Sequence, residues 1–511
     1  MKALLATLAM VIVGCKTRPF PLAQPAPSVP TSPGSGAAGP PIAEKADVAP
    51  SGCPQHRLVD HAEWSPDGHL LATLSSARYV DPPNQWVDFW DLVKGARVHS
   101  IDAGMTGVSG RWVPGGGFLT TADPSTAMGH VVLWSATTWT PRYATDFYCI
   151  TNVDFDPAGH QMFIAGCDGI IVKVDTTTGK VQVRPENEAH RGGDVDVFVK
   201  LLGNSGPLLV VDQSWGVQLL NPGTLRRTRS GPTTPVVGDN WDQTIGSWAV
   251  SPDASRVATT TGSGTLEVLR TGSLRREKVL IKAGPNAISR QIAWLGSDQL
   301  LVRDQDGSLN QIAIDGRTRP ILAEPTSAPC RSRAEGNPSG TLAAVIDSAC
   351  NLALWDVAKG SFRWTRPFLP AVLDPDAAPE PQVKWSPRGD RLAVIARGGA
   401  LRILDEKGEL LRESRLGGAS SSDAGIQWSP DQEFLAMGNG NIHVLRIRDG
   451  EEVTLALFEG EPGPEPMVVA RSGFAGKPSL VPCVAGSSTG SREYPGLLAD
   501  FFGQRSLSGD R

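Results

Sequence analysis

From about residue 61 onward, short apolar runs alternate with clusters of Pro, Gly, Asp and Ser, and helical spacing of apolar positions is nearly absent. The runs 70–74, 161–165, 256–260 and 391–395 are largely apolar or β-branched and are bounded by breakers. That pattern predicts short strands buried on both faces. Between them lie segments such as Ser65-Pro66-Asp67-Gly68, in which proline pre-sets one backbone angle and glycine accepts the left-handed one.

One sequence of features returns along the chain: an aromatic, a tight Pro/Gly turn, an apolar run, a strand carrying an aromatic and an aspartate, and a Gly-bearing turn. Its clearest copy runs from Trp64 through Leu70-Leu71-Ala72-Thr73 to Phe89-Trp90-Asp91-Leu92 and Lys94-Gly95. Others start near Trp112, Phe155, Ser251, Trp294, Asn337, Trp385 and Trp428, and a degenerate copy fits between Val195 and Thr228. Nine candidate units at a spacing of about 42 to 50 residues, each read as four antiparallel strands, predict an all-β chain: a single β-propeller of seven to nine four-stranded blades. One weak unit, 195–228 or 288–322, is either an insertion or a blade of a larger ring.

The wording of these repeats resembles the WD-repeat family over roughly residues 61–458. Trp90-Asp91 and Trp355-Asp356 are literal copies of the dipeptide, and Trp134-Ser135 is a near copy. Trp-Ser-Pro-Asp-Gly also resembles the propeller repeats of periplasmic translocation proteins. The Gly-His dipeptide of many WD repeats is missing from the inter-blade loops, since Gly129-His130 falls elsewhere in its unit. The buried His-Asp network of that family is therefore not expected, and blade packing is expected to rest on apolar contacts.

The N-terminus has a different pattern. Lys2 precedes an apolar run to Val13, too short to span a bilayer but laid out as a secretory signal. Ile12-Val13-Gly14-Cys15 resembles a bacterial lipobox, which implies lipidation of Cys15 after removal of residues 1–14; the alternative is a plain signal with an accidental cysteine. Residues 15–52 form a spacer: nine of the 37 positions from Lys16 to Gly52 are proline, and few are bulky and apolar. Such a stretch cannot bury enough surface to order itself. At ~3.1 Å per residue in polyproline II it would reach on the order of 100 Å. The propeller is assigned to 53–458 and a packing tail to 459–511, where 495–502 is apolar enough to dock as a short helix.

With Cys15 lipidated, six cysteines remain. Cys149 and Cys167 flank the first two strands of one unit, and Cys330 and Cys350 hold the same two places in a later one. Pairs Cys149–Cys167 and Cys330–Cys350 are expected across hairpins, and Cys53–Cys483 between first blade and tail. The competing reading is six unpaired thiols. No Cys-x-x-Cys spacing points to a metal.

Function must come from loops on such a scaffold. The turns within the first and second strand pairs of each unit are short, whereas connections such as 76–86, 122–129, 185–194, 230–246 and 367–381 are long and share the opposite face. Tyr79, Trp86, Trp215, Trp241 and Phe368 lie on or near that face and are candidate partner contacts, unless they cap blade ends. Asp194-Val195-Asp196 and Asp374-Pro375-Asp376 read as strand alternation and solvated loop rather than metal ligands. Asp356, Gly360 and Trp364 resemble one copy of a quinoprotein repeat. No catalytic triad, elbow or phosphate loop is legible, so no catalytic residue, metal or cofactor is assigned. A formal net charge of −5, with basic residues confined to pairs such as Arg226-Arg227 and Arg275-Arg276, excludes a nucleic-acid footprint. The expected role is a membrane-anchored extracytoplasmic scaffold binding a protein partner at the cell envelope. The alternative is a propeller enzyme, quinoprotein-like or hydrolytic, with a pocket at the central channel.

Overall fold

Each Ser-Pro-Asp type turn closes a hairpin because its serine works in two directions. Ser65 Oγ donates to Asp67 at 2.5 Å and accepts from the Leu70 N–H at 2.8 Å. The same pair of bonds recurs at Ser251 and Ser429, and Asn337 replaces the serine in another unit by accepting from the Leu342 N–H. The third and fourth strands are joined by a second device. Asp91 accepts from the N–H groups of Val93 and Lys94, as Asp175 and Asn221 do from theirs. Short side chains thus fix both turns of the repeat.

The computed structural model describes residues 58–475, with breaks in connecting loops, together with residues 501–502. The chain divides into residues 1–48 and 49–511, and everything described lies in the second unit. The strands β1 (Leu58–Trp64), β2 (Leu70–Ser76), β3 (Gln85–Asp91) and β4 (Ala96–Asp102) pair antiparallel in chain order as the first blade. Eight more sheets repeat that order, starting at residues 108, 150, 197, 245, 291, 333, 382 and 426. The protein is an all-β propeller of nine blades. Both weak units, 195–228 and 288–322, are blades, the fourth and the sixth, which resolves the expected range of seven to nine.

Radial position follows burial. In blade 4 the second and third strands, Leu208–Asp212 and Gly216–Leu220, are buried at every residue, while the fourth, Arg227–Ser230, is exposed at every residue. First strands of neighbouring blades face one another and so surround the axis. Apolar side chains fill the wedges between blades. Leu119 and Leu133 meet Met162 and Ile164 between blades 2 and 3, and Val211 and Val217 meet Val257 and Leu269 between blades 4 and 5.

Ring closure uses the same packing. Trp64, Leu71 and Trp90 of blade 1 meet Phe434, Ile442 and Leu455 of blade 9, and among the described residues no strand is shared between the two. The last sheet continues outward through Glu465–Ala470 and Gly473–Ala475, making six strands. Phe501 and Phe502, in helical conformation, are buried in the closing seam.

Candidate functional site

The first strand of every blade presents an unpaired edge to the axis, so its N–H and C=O groups need other partners. Neighbouring blades supply them. Trp64 Nε1 donates to Gln427 O, Trp112 Nε1 to Glu63 O, Trp294 Nε1 to Ala249 O, Trp385 Nε1 to Glu335 O and Trp428 Nε1 to Lys384 O, all between 2.9 and 3.1 Å. In every case the indole at the end of one first strand reaches the carbonyl just ahead of the equivalent position in the preceding blade. The Trp64 bond makes this stitch across the seam between the last blade and the first. The expectation that blade packing would rest on apolar contacts is thereby corrected: a repeated polar bond accompanies them.

The residue whose carbonyl is stitched is often charged. Around the axis this position holds Glu63, Arg111, Asp154 and Lys200 in blades 1 to 4, then Glu335 and Lys384 in blades 7 and 8. Lys200 Nζ lies 3.1 Å from Asp154 Oδ1, and Lys384 Nζ lies 3.6 Å from Glu335 Oε1. The carboxylates also bridge to backbone: Glu63 Oε2 accepts from the Trp112 N–H at 3.2 Å, and Asp154 Oδ2 from the Leu201 N–H at 2.7 Å. Burial pushes the Glu63 carboxyl up to about 7, against the opposing pull of the Trp112 N–H and the Arg111 charge. His61, two residues earlier, is pushed below its usual value by burial. These inner-strand groups were missed from sequence; alternating charge ahead of each unit's aromatic was the available signal.

On the face carrying the short turns, neighbouring blades come into contact. A Cβ added at Gly159, where φ is +72°, would lie 1.8 Å from Pro114 O, so successive turns abut at this point. The turn carboxylates are held ionised by their own loops. The Ser251 hydroxyl, with the Ser255 N–H and hydroxyl, lowers Asp253 to about 2. Among the described residues, grooves open between blades. One of about 420 Å³ lies between blades 6 and 7 on the short-turn side, lined by Asp298, Gln311, Arg317, Arg319 and Thr341 among others. Gln311 is spent there on structure, donating to Gln299 Oε1 and Val357 O and accepting from Trp355 Nε1. The second, about 260 Å³, lies between blades 7 and 8.

Among the five aromatics expected at the long-loop face, Trp86 is half-buried at the loop end of β3. Phe368 is 4 % exposed and packs between blades 7 and 8, with the Arg402 guanidinium 5.6 Å from its ring and donating to its carbonyl at 3.0 Å. Its burial corrects the expectation of a surface contact. Tyr79, Trp215 and Trp241 lie outside the described residues, as do Cys15, Cys53, Cys149, Cys167, Cys330, Cys483, Asp194, Asp374 and Asp376. Cys350 is buried in the turn between the second and third strands of blade 7, where its N–H donates to Asp347 O. Among the described residues no group of three His, Cys, Asp or Glu side chains is placed to hold a metal. The quinoprotein-like residues serve the ring. Asp356 accepts from the Lys359 N–H and from Arg363, and Trp364 lies against the Gly408 turn of the next blade.

No family model matches the chain, and no curated protein matches it. Among solved structures it is similar to the computationally designed protein Ika8 at 14 % identity, covering 77 % of this chain and 98 % of that one, with a TM-score of 0.45. It is similar to BamB from Moraxella catarrhalis at 14 % identity, 66 % and 95 % coverage, and TM-score 0.41. It is also similar to the Cps50 (Swd1) β-propeller domain of Myceliophteria thermophila at 16 % identity, 60 % and 96 % coverage, and TM-score 0.36.

Proposed function

We propose that this protein is a lipid-anchored, extracytoplasmic β-propeller that binds a protein partner through its long-loop face at the cell envelope. The observation that carries the reading is the asymmetry of the ring. One face carries short, internally hydrogen-bonded turns, whereas the longer connections leave from the other. A rigid scaffold with variable loops gathered on one side concentrates recognition there. The inner-strand charges are engaged by one another and by neighbouring backbone, which leaves the loops, with Tyr79, Trp86, Trp215 and Trp241, as the contact set.

The anchor is Cys15, acylated at the start of the 15–52 spacer. The extracytoplasmic setting carries disulfides Cys149–Cys167, Cys330–Cys350 and Cys53–Cys483. Strand register supports the first, because Ile150 pairs with Gly166 at the open end of the hairpin that the two cysteines flank in sequence. A closed ring supports the third, because its first and last blades are neighbours.

Crosslinked pull-down from membrane extract tests the binding role. The expected result is one protein partner, lost when 232–244 is replaced by a Gly-Ser linker. Recovery of a small ligand or metal with no protein would overturn the scaffold reading in favour of a propeller enzyme.

A further inference from the structure

The sequence presents Arg226-Arg227 and Arg275-Arg276 as isolated basic pairs, but the fold puts them at one place on adjacent blades. Leu225 and Leu274, which precede them, share a left-handed backbone at φ 55° and 52° and are both buried. Arg227 pairs with Leu220 and Arg276 with Leu269, the same rung of blades 4 and 5. In blade 6 the equivalent turn and strand carry Arg317 and Arg319. Cross-rim bonds hold these edges together: Lys278 Nζ donates to Asp315 O of the next blade, and Arg319 Nη1 to Ala358 O of the one after. Segments 221–231, 266–282 and 313–322, the outer edges of three successive blades, hold ten basic and three acidic residues in a chain whose net charge is −5.

Intramolecular pairing does not use up this charge. Glu267 engages Arg276 at 2.5 Å, Glu277 engages Arg270 at 3.4 Å, and Asp315 engages Arg317 at 2.6 Å. Arg226, Arg229 and Arg275 are exposed and have no salt bridge among the described residues. Charged outer strands also guard against edge-to-edge pairing. That role does not account for the sign of the charge, since carboxylates would serve it equally; the blade 7 edge adds Lys359, Arg363 and Arg366, the last two paired with Asp356 and Glu409.

We propose that the outer rim of blades 4 to 6 is a docking surface for anionic phospholipid headgroups. This inference rests on the reading of the chain as tethered by Cys15, which puts lipid phosphate, an anion that guanidinium groups bind bidentately, within reach of the ring. Contact along this rim and its short-turn corner stands the disc on the bilayer and keeps the long-loop face open to a protein partner.

The test is flotation of the mature chain, residues 15–511 carrying Cys15→Ser, with vesicles of phosphatidylcholine alone or mixed with phosphatidylglycerol. Using the serine variant separates the rim from the anchor, whose own failure is read independently as an unacylated N-terminus in mass spectrometry of the native chain. The expected result is binding to the anionic vesicles only, lost at about 0.5 M salt. The added changes Arg226→Gln, Arg229→Gln and Arg275→Gln should weaken it about 100-fold, and Glu at the same positions further, with thermal unfolding unchanged. Equal binding to both vesicle types, no binding, or binding indifferent to these substitutions overturns the proposal. Capture of polyglutamate without vesicle binding also overturns it, and would assign the rim to an acidic polypeptide.

Discussion

At the scale of single residues, the tryptophans that punctuate the repeat have a role that hydrophobicity alone does not reveal. Their positions ahead of each Pro-Asp or Pro-Gly turn were legible, as was their burial. The indole donation to the preceding blade was not, because it depends on two first strands lying edge to edge around an axis. Replacing Trp385 by Phe keeps most of the packing and strands the Glu335 carbonyl, so a loss of ~1–3 kcal/mol is expected in denaturant unfolding. An unchanged midpoint would show that water replaces the stitch at no cost. Glu63 offers a second test. Its carboxyl is raised by burial from 4.5 to about 7 in the folded state, so the native chain holds a proton between those values that the unfolded chain releases. Stability from this group is present below about 4.5 and is lost as pH rises through about 7. Glu63→Gln should therefore gain stability relative to the native protein between pH 5 and pH 8 in thermal unfolding. Parallel profiles for the two proteins would contradict the assignment.

At the scale of the element, the blades vary more in sequence than in structure, and that variation kept their number open. Blade 4 has Leu201 where others have an indole, and its inner strand is instead held by Asn152 and Asp154, which accept from the Val199 and Leu201 N–H groups. Blade 7 has Gly336 at this place, where a Cβ would lie 2.7 Å from Leu295 Cδ2. Each departure answers to its neighbour, so a single repeat read alone looks degenerate. The closing seam carries an element from farther along the chain. Arg446 is nearly buried, donates to Phe501 O at 2.7 Å and lies 4.8 Å from the Phe501 ring, while Phe502 packs on Trp64 and Phe434. Phe501→Ala and Phe502→Ala are each expected to cost ~3–5 kcal/mol. Hydrogen exchange should rise first in β1 and in the blade 9 strands Phe434–Asn439 and Asn441–Arg446. Exchange rising evenly around the ring would argue against a seam-specific clasp.

At the scale of the whole molecule, the fold class was legible from period and turn chemistry, and the face on which the loops gather followed from their lengths. Which side chains stand free on that face was not legible. Phe368 shows why: an aromatic just past a fourth strand can turn inward under a neighbouring arginine and join the core. Under the proposed function the two faces and the rim divide the work, with a face of short turns, a loop face for a partner, and a basic arc toward a charged surface. Site-specific photocrosslinking in intact cells addresses that division directly. A photoreactive residue at position 241, in a long loop, should capture a protein partner, and the same residue at position 178, in a short turn, should capture none. Capture from position 178 with none from 241 would contradict the account.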